Sequence, residues 1–385
     1  MPKSIRVSDR MLAALVVSWT VFWAVYIPYR WGWMRAWYFF VAGPRKLVDL
    51  SYPHYLAAGG LQLYASFPKL QIGPVAFLIA LPLALLPMFV SKLIGCVLMS
   101  LAGPTVVWLL ADAAHRLRGG SRAGALRAAG WMWVLLAPPW FLLSICWAHL
   151  DDVLALLFVA AGVNLLARGR LTLAAAAVGA SAAAKPWALA FIPLALAASE
   201  HQRIRRLMFA VGVAVVPWLP GVVSDPRTLR AASYKIRVIP ASVLSLFHVV
   251  GGTPSWVRPI QFIGGGLLVA LGVRSGRWAA GVVLAIALRL GTDPNVYSYY
   301  TTGLLVGAAI WDLLGSRLRV PVLTSTCLLT LYGSTYLRLS EHDHAVLRLA
   351  TVIAIPIIVI CTAGRSSESL SLRWATMRRS VDTAG

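Results

Sequence analysis

The residues best placed to do chemistry are His149, Asp151 and Asp152, in the segment Trp147-Ala148-His149-Leu150-Asp151-Asp152 between two apolar runs. A carboxylate there can act as general acid or base on a hydroxyl, or cap a helix start and complement its dipole. Neighbouring residues on a helix point about 100 degrees apart. One acid of the pair therefore suits the cap, and the other faces away from it beside His149. A lone imidazole next to Asp-Asp lacks the ligand spacing of a metal centre. No metal ligand and no cofactor is assigned, and a divalent cation is left open.

Further candidates lie along the chain. Lys185, in Lys185-Pro186-Trp187, interrupts an apolar stretch. It can snorkel to an interface or bind a phosphate. Segment 223–258 adds Arg227, Arg230, Lys235, Arg237 and His248, a set suited to an anionic ligand such as a lipid phosphate or to plain headgroup contact. The run Asp293-Pro294-Asn295-Val296-Tyr297-Ser298-Tyr299-Tyr300 combines Asp293 and Asn295 with Tyr297, Tyr299 and Tyr300. Such a run serves an interfacial aromatic belt or a sugar-binding wall. Glu341-His342-Asp343-His344 has metal-like spacing but reads as a solvated turn.

The elements that must carry these residues are membrane helices. Only 13 of 385 residues are Asp or Glu, 59% are apolar and 12% are charged. Those proportions exclude a soluble globular domain. The net charge of +22 points to loops facing anionic lipid and not to nucleic acid, because no soluble basic domain holds it. Apolar runs predict about twelve spans, near 11–28, 90–112, 128–146, 152–167, 171–185, 187–199, 206–222, 259–273, 277–289, 298–313, 320–338 and 348–363. The first follows Lys3, Arg6 and Arg10 and lacks a small-residue cleavage site, so it reads as a retained span.

Basic residues fall mainly on the side of the N-terminus, which the positive-inside rule makes cytoplasmic. The predicted organisation is one transmembrane domain, 1–363, with a basic cytoplasmic tail, 364–385. Two long loops, 29–89 and 223–258, then lie outside together with Asp49, the Asp151/Asp152 pair and Asp293. Residues 72–88 are apolar but broken by Pro74, Pro82 and Pro87, and read as an interfacial helix in the first loop.

Taken in order, Leu61–Pro87, His149–Leu156 (HLDDVLAL), Gly179–Pro193 (GASAAAKPWALAFIP) and Asp293–Gly303 (DPNVYSYYTTG) resemble the glycosyltransferase C superfamily. The resemblance is to bacterial polyprenol-phosphate-mannose-dependent α-mannosyltransferases. It implies an all-α fold, a polyprenyl-phosphate sugar donor, a lipid or glycan acceptor of the cell envelope, and transfer on the outer face of the plasma membrane. It also implies a carboxylate base in the first outer loop and basic residues around the leaving phosphate. Relatives carry an acid just after the first span, where this chain reads Met34-Arg35-Ala36-Trp37. Asp49 is the one acid in the loop, so the base falls to Asp49 or to Asp151/Asp152. A lipid-linked glycan carrier and a catalytically inactive membrane partner are the competing readings.

Overall fold

The computed structural model describes residues 8–41, 60–119, 121–197, 202–231, 234–295 and 297–364. Asp49 and the tail beyond Gly364 lie outside them. Among the described residues there is no strand, and two isolated bridges, Arg237 with Gly252 and Ser316 with Ala363, are the only sheet-like pairings.

Eleven helices organise the chain: α1 (Asp9–Trp31), α2 (Pro74–Ala84), α3 (Met88–Arg118), α4 (Arg122–Phe141), α5 (Leu150–Ala167), α6 (Leu171–Ala184), α7 (Arg203–Val215), α8 (Gly265–Arg274), α9 (Trp278–Thr292), α10 (Tyr300–Ile310) and α11 (Glu341–Thr362). Among the described residues, seven helical runs are long and apolar enough to cross a bilayer. They are α1, α3, α5, α11, α4 with its continuation to Trp147, α7 continued to Ser224, and α8 with its lead-in from Val257. The chain is thus an all-α, membrane-embedded protein. Five further apolar helices are shorter, at 10–17 residues, among them α2, α6 and α9. The stretch 72–88, expected as a broken interfacial helix, is the 11-residue α2 with Pro74 in its first turn, followed by Pro87 at the start of α3. At 1.5 Å per residue α2 is about 16 Å long, half of a bilayer core.

Exposure separates rim from centre. On α1, Val17, Val21 and Val25 recur at helical spacing and are 62%, 57% and 64% exposed. Leu93, Val97 and Leu101 repeat this pattern on α3, and Ile353, Ile357 and Ile360 form a similar stripe on α11. Apolar stripes left uncovered by protein match a hydrocarbon surrounding. In contrast, α5 is buried on nearly all sides and packs against α3 and α6.

Small residues let the helices near α5 approach closely. A Cβ on Gly179 of α6 would stand 2.4 Å from the Ala210 carbonyl of α7. One on Gly73 would stand 2.0 Å from the Ala183 carbonyl, and the Gly73 N–H donates to the Ala184 carbonyl at 2.9 Å. Glycine at 73 therefore lets the chain ahead of α2 lie against the end of α6. Indole N–H groups tie the rim to the centre: Trp19 to the Val134 carbonyl at 2.8 Å and Trp140 to the Met99 carbonyl at 2.9 Å. The segment 341–344, expected as a loop, is the first turn of α11. There Ser340 and Asp343 form a reciprocal capping box, so Asp343 is a helix cap.

Candidate functional site

The site begins where α4 ends. Its last turn widens into a π turn, Leu142–Trp147, and Ala148 then takes a left-handed conformation (φ 55°) that reverses the chain into α5. Carbonyls released by the π turn do not stay empty. Those of Ile145, Cys146 and Trp147 accept from the N–H groups of Met34, Arg35 and Ala36 at 2.7, 2.8 and 3.0 Å. The start of the first loop is thereby stitched beside His149, the N-cap residue of α5.

Asp151 and Asp152 occupy the first turn of α5, and the expected side-chain cap is not made. Both carboxylates turn instead to Lys185, which stands at the end of α6 because Pro186 forces its backbone into an extended conformation. Lys185 Nζ donates to Asp151 Oδ2 and lies 3.2 Å from Asp152 Oδ2. Trp187 Nε1 donates to Asp152 Oδ1 at 2.9 Å. All three charged residues are buried. A buried pair of this kind holds only with its counter-ion in place. His149, Asp151 and Asp152 offer ligand atoms within 4.8 Å of one another. Lys185 already supplies positive charge to both carboxylates there, so the cluster reads as an ion triad and not as a metal centre.

His149 stacks on Tyr299, with ring centroids 4.2 Å apart. Tyr299 in turn packs against Trp147, Tyr297 and Tyr300. This aromatic cluster borders a cavity of about 420 Å³. Its lining combines polar residues, among them His149, Lys185, Arg258, Arg289, Asp293 and Tyr300, with apolar ones such as Val215, Trp218, Leu219, Val222 and Phe262.

Two arginines dominate the polar part of the lining. Arg289 lies between the faces of Trp187 and Tyr300, 4.5 and 4.7 Å from their centroids, with Nε 3.6 Å from Asp293 Oδ2. Burial pushes the Asp293 carboxyl up from its ordinary value, against the pull of Arg289 and Arg258. Arg258 donates to the side-chain carbonyls of Gln261 and Gln71, each at 2.9 Å. No carboxylate lies within ion-pair distance of it among the described residues. Its charge is held by two neutral amides and left for something else.

Several expected site residues gather here. His149, Lys185, Asp293, Tyr299 and Tyr300 line the cavity, and Tyr297 stacks behind Tyr299. Asp151 and Asp152 sit one layer behind the wall. Of the five basic residues expected around a phosphate, only Lys185 reaches the cavity, and its charge is matched by the acid pair. Arg227 forms a forked pair with Asp225 at 2.6–2.9 Å, which holds the Asp225 carboxyl below its ordinary range. Arg230, Lys235, Arg237, His248 and Asn295 do not line the cavity. Sequence reasoning missed Arg258, Arg289, Lys69 and Gln71, all of which line it. The available signal was an arginine within or beside an apolar run, which is costly unless it serves a site.

No family model, curated protein or solved structure matches this chain.

Proposed function

We propose that the protein is a membrane glycosyltransferase of the glycosyltransferase C type. It moves a sugar, mannose by the resemblance above, from a polyprenyl-phosphate donor to a lipid or glycan acceptor of the bacterial cell envelope. The observation that carries this reading is Arg258, a guanidinium with no carboxylate within ion-pair distance among the described residues, on the wall of a cavity that is otherwise lined largely by apolar side chains. A ligand matching both kinds of lining has an anionic group and a long hydrocarbon part, as a polyprenyl phosphate has. Arg258, with Arg289 and Lys69, neutralises charge developing on the leaving phosphate. Trp218, Leu219, Val222 and Phe262 receive the first prenyl units. Tyr299, Tyr300 and Trp187 offer hydroxyl and aromatic faces to the sugar. In this reading α6, α9, α10 and the stretches 186–197 and 320–338 complete twelve crossings while α2 stays interfacial, the N-terminus is cytoplasmic, and the cavity opens at the outer leaflet of the plasma membrane.

Purified protein in lipid, given radiolabelled polyprenyl-phosphate mannose and envelope lipid extract, should form a labelled glycoside. Arg258→Gln should lower that rate about 10²–10³-fold, the usual loss when one donor to a developing oxyanion is removed. Folded wild-type protein that transfers no sugar from any polyprenyl phosphate would end the proposal. Movement of intact lipid-linked sugar across vesicles without transfer would establish the carrier reading in its place.

A further inference from the structure

We infer that His149 is the general base of the transfer and that Asp151 positions it; the inference rests on the transferase reading above. An acceptor hydroxyl attacking a sugar needs a proton acceptor at the cavity wall. Lys69, Lys185, Arg258 and Arg289 are cations there, and tyrosines enter as protonated donors. The Asp293 carboxylate is held as a counter-ion, with Oδ2 3.6 Å from Arg289 Nε and Oδ1 accepting from the Asn295 N–H at 3.4 Å. Asp151 and Asp152 stand behind the wall and are committed to Lys185. His149 remains.

Its geometry fits the role. Nδ1 faces inward and lies 3.4 Å from Asp151 Oδ1. Both atoms are buried, and neither has a hydrogen-bond partner elsewhere. A carboxylate at Nδ1 favours the tautomer that carries its proton there, which leaves the lone pair on Nε2. The ring lines the cavity, and stacking on Tyr299 fixes its plane. The loop stitch at Trp147 and the reversal at Ala148 fix its height. In the step, Nε2 takes the proton of the acceptor hydroxyl as that oxygen bonds to the anomeric carbon. The bond from that carbon to the phosphate oxygen breaks, and its electron pair leaves with the polyprenyl phosphate beside Arg258. Asp151 faces the imidazolium until its proton passes to water.

The test is transfer kinetics of wild type, His149→Ala, His149→Gln and Asp49→Asn in lipid, with thermal unfolding as the check on folding. Both His149 variants should melt like wild type, keep donor KM within about threefold, and lose about 10²–10⁴-fold in kcat. Added imidazole should restore His149→Ala at least about tenfold and leave His149→Gln unchanged, because only the alanine variant leaves room for a free base. A His149 variant that keeps more than a third of wild-type turnover overturns the assignment while the transferase reading stands. So does a loss that imidazole does not relieve, matched by an equal loss in Asp49→Asn. Wild type without transfer removes the reading and the base together.

Discussion

The two ends of α5 carry polar clusters of opposite character. At its C-terminal end Asp112 of α3 accepts from Arg116 at 2.8 Å, Asn164 at 2.8 Å and Arg168 at 2.9 Å, while Asn164 Oδ1 accepts from Arg168 at 2.7 Å. Nearby in α10's continuation, the Asp312 carboxylate takes the N–H groups of Leu323 and Thr324 and the Thr324 hydroxyl. None of those side-chain atoms is buried without a partner. At the N-terminal end, His149 Nδ1, Asp151 Oδ1, Asp152 Oδ2 and Arg289 Nε are all buried without a hydrogen-bond partner; His149 and Arg289 line the cavity, and the two acids stand directly behind its wall. Polar groups that only hold helices together saturate each other. Groups kept under-satisfied next to open space are held for a ligand or a reaction.

The largest expected effect comes from breaking the site-end triad. Lys185→Met should destabilise the fold by about 3–5 kcal/mol, because it strands two buried carboxylates. Thermal unfolding in lipid or detergent should show the loss. The triple variant Lys185→Met, Asp151→Asn, Asp152→Asn should recover most of it, since no uncompensated charge is left. If Lys185→Met melts like wild type, the triad is not what holds α5 to α6.

Asp112→Asn sharpens the contrast from the other side. It removes charge from a partly exposed cluster and keeps an acceptor, so it should cost only about 1 kcal/mol. Sugar transfer should stay within about twofold of wild type. A large loss of transfer with an unchanged melt would mean that the two ends of α5 are not separate in function.

How much of this was legible in the sequence follows the same division. Runs of apolar residues located the helices, because hydrocarbon demands length and apolarity over a whole segment. Lys185-Pro186 located the break after α6, because proline constrains the residue before it. The acid pair at 151–152 marked the site, but its partner was not readable. Nothing in the chain says that the cation 34 positions on is the one that meets it. Arg227 illustrates the converse. Its pairing with Asp225, two residues away, was within local reach, yet the basic character of segment 223–258 drew attention to an external phosphate. Arg258 carried only the general signal of an arginine beside an apolar run. What distinguishes it is that no carboxylate of the described residues comes within ion-pair distance, and a sequence does not display that. Asp49 stays a candidate from the resemblance alone.

Backbone strain at the chain reversal gives an effect smaller than that of breaking the triad. Ala148 holds a left-handed conformation that costs an alanine about 1–2 kcal/mol and a glycine almost nothing. Ala148→Gly should therefore melt within about 1 kcal/mol of wild type, the released strain offset by glycine's greater unfolded entropy. Ala148→Val should melt lower by more than about 2 kcal/mol, because a β-branched side chain fits neither the conformation nor the buried surroundings. A valine variant as stable as wild type would mean that the reversal is not fixed as described.

The smallest effect tests whether the cavity wall pays a charge penalty that the other end of α5 avoids. Burial raises the Asp293 carboxyl above its ordinary 3.8 in the folded protein. Between 3.8 and the raised folded value the folded state binds more protons than the unfolded one, so stability falls as pH rises through that window. Above the window the cost of the buried ionised carboxylate is fully present; below 3.8 it is absent. Asp293→Asn should therefore melt slightly higher than wild type at neutral pH, and the gain should disappear as pH falls toward the ordinary carboxylate range. Melting curves of wild type and Asp293→Asn should therefore converge between neutral pH and pH 4. A separation that stays constant over that range would mean that the buried Asp293 carboxylate carries no charge penalty, and the contrast between the two ends of α5 would lose this support.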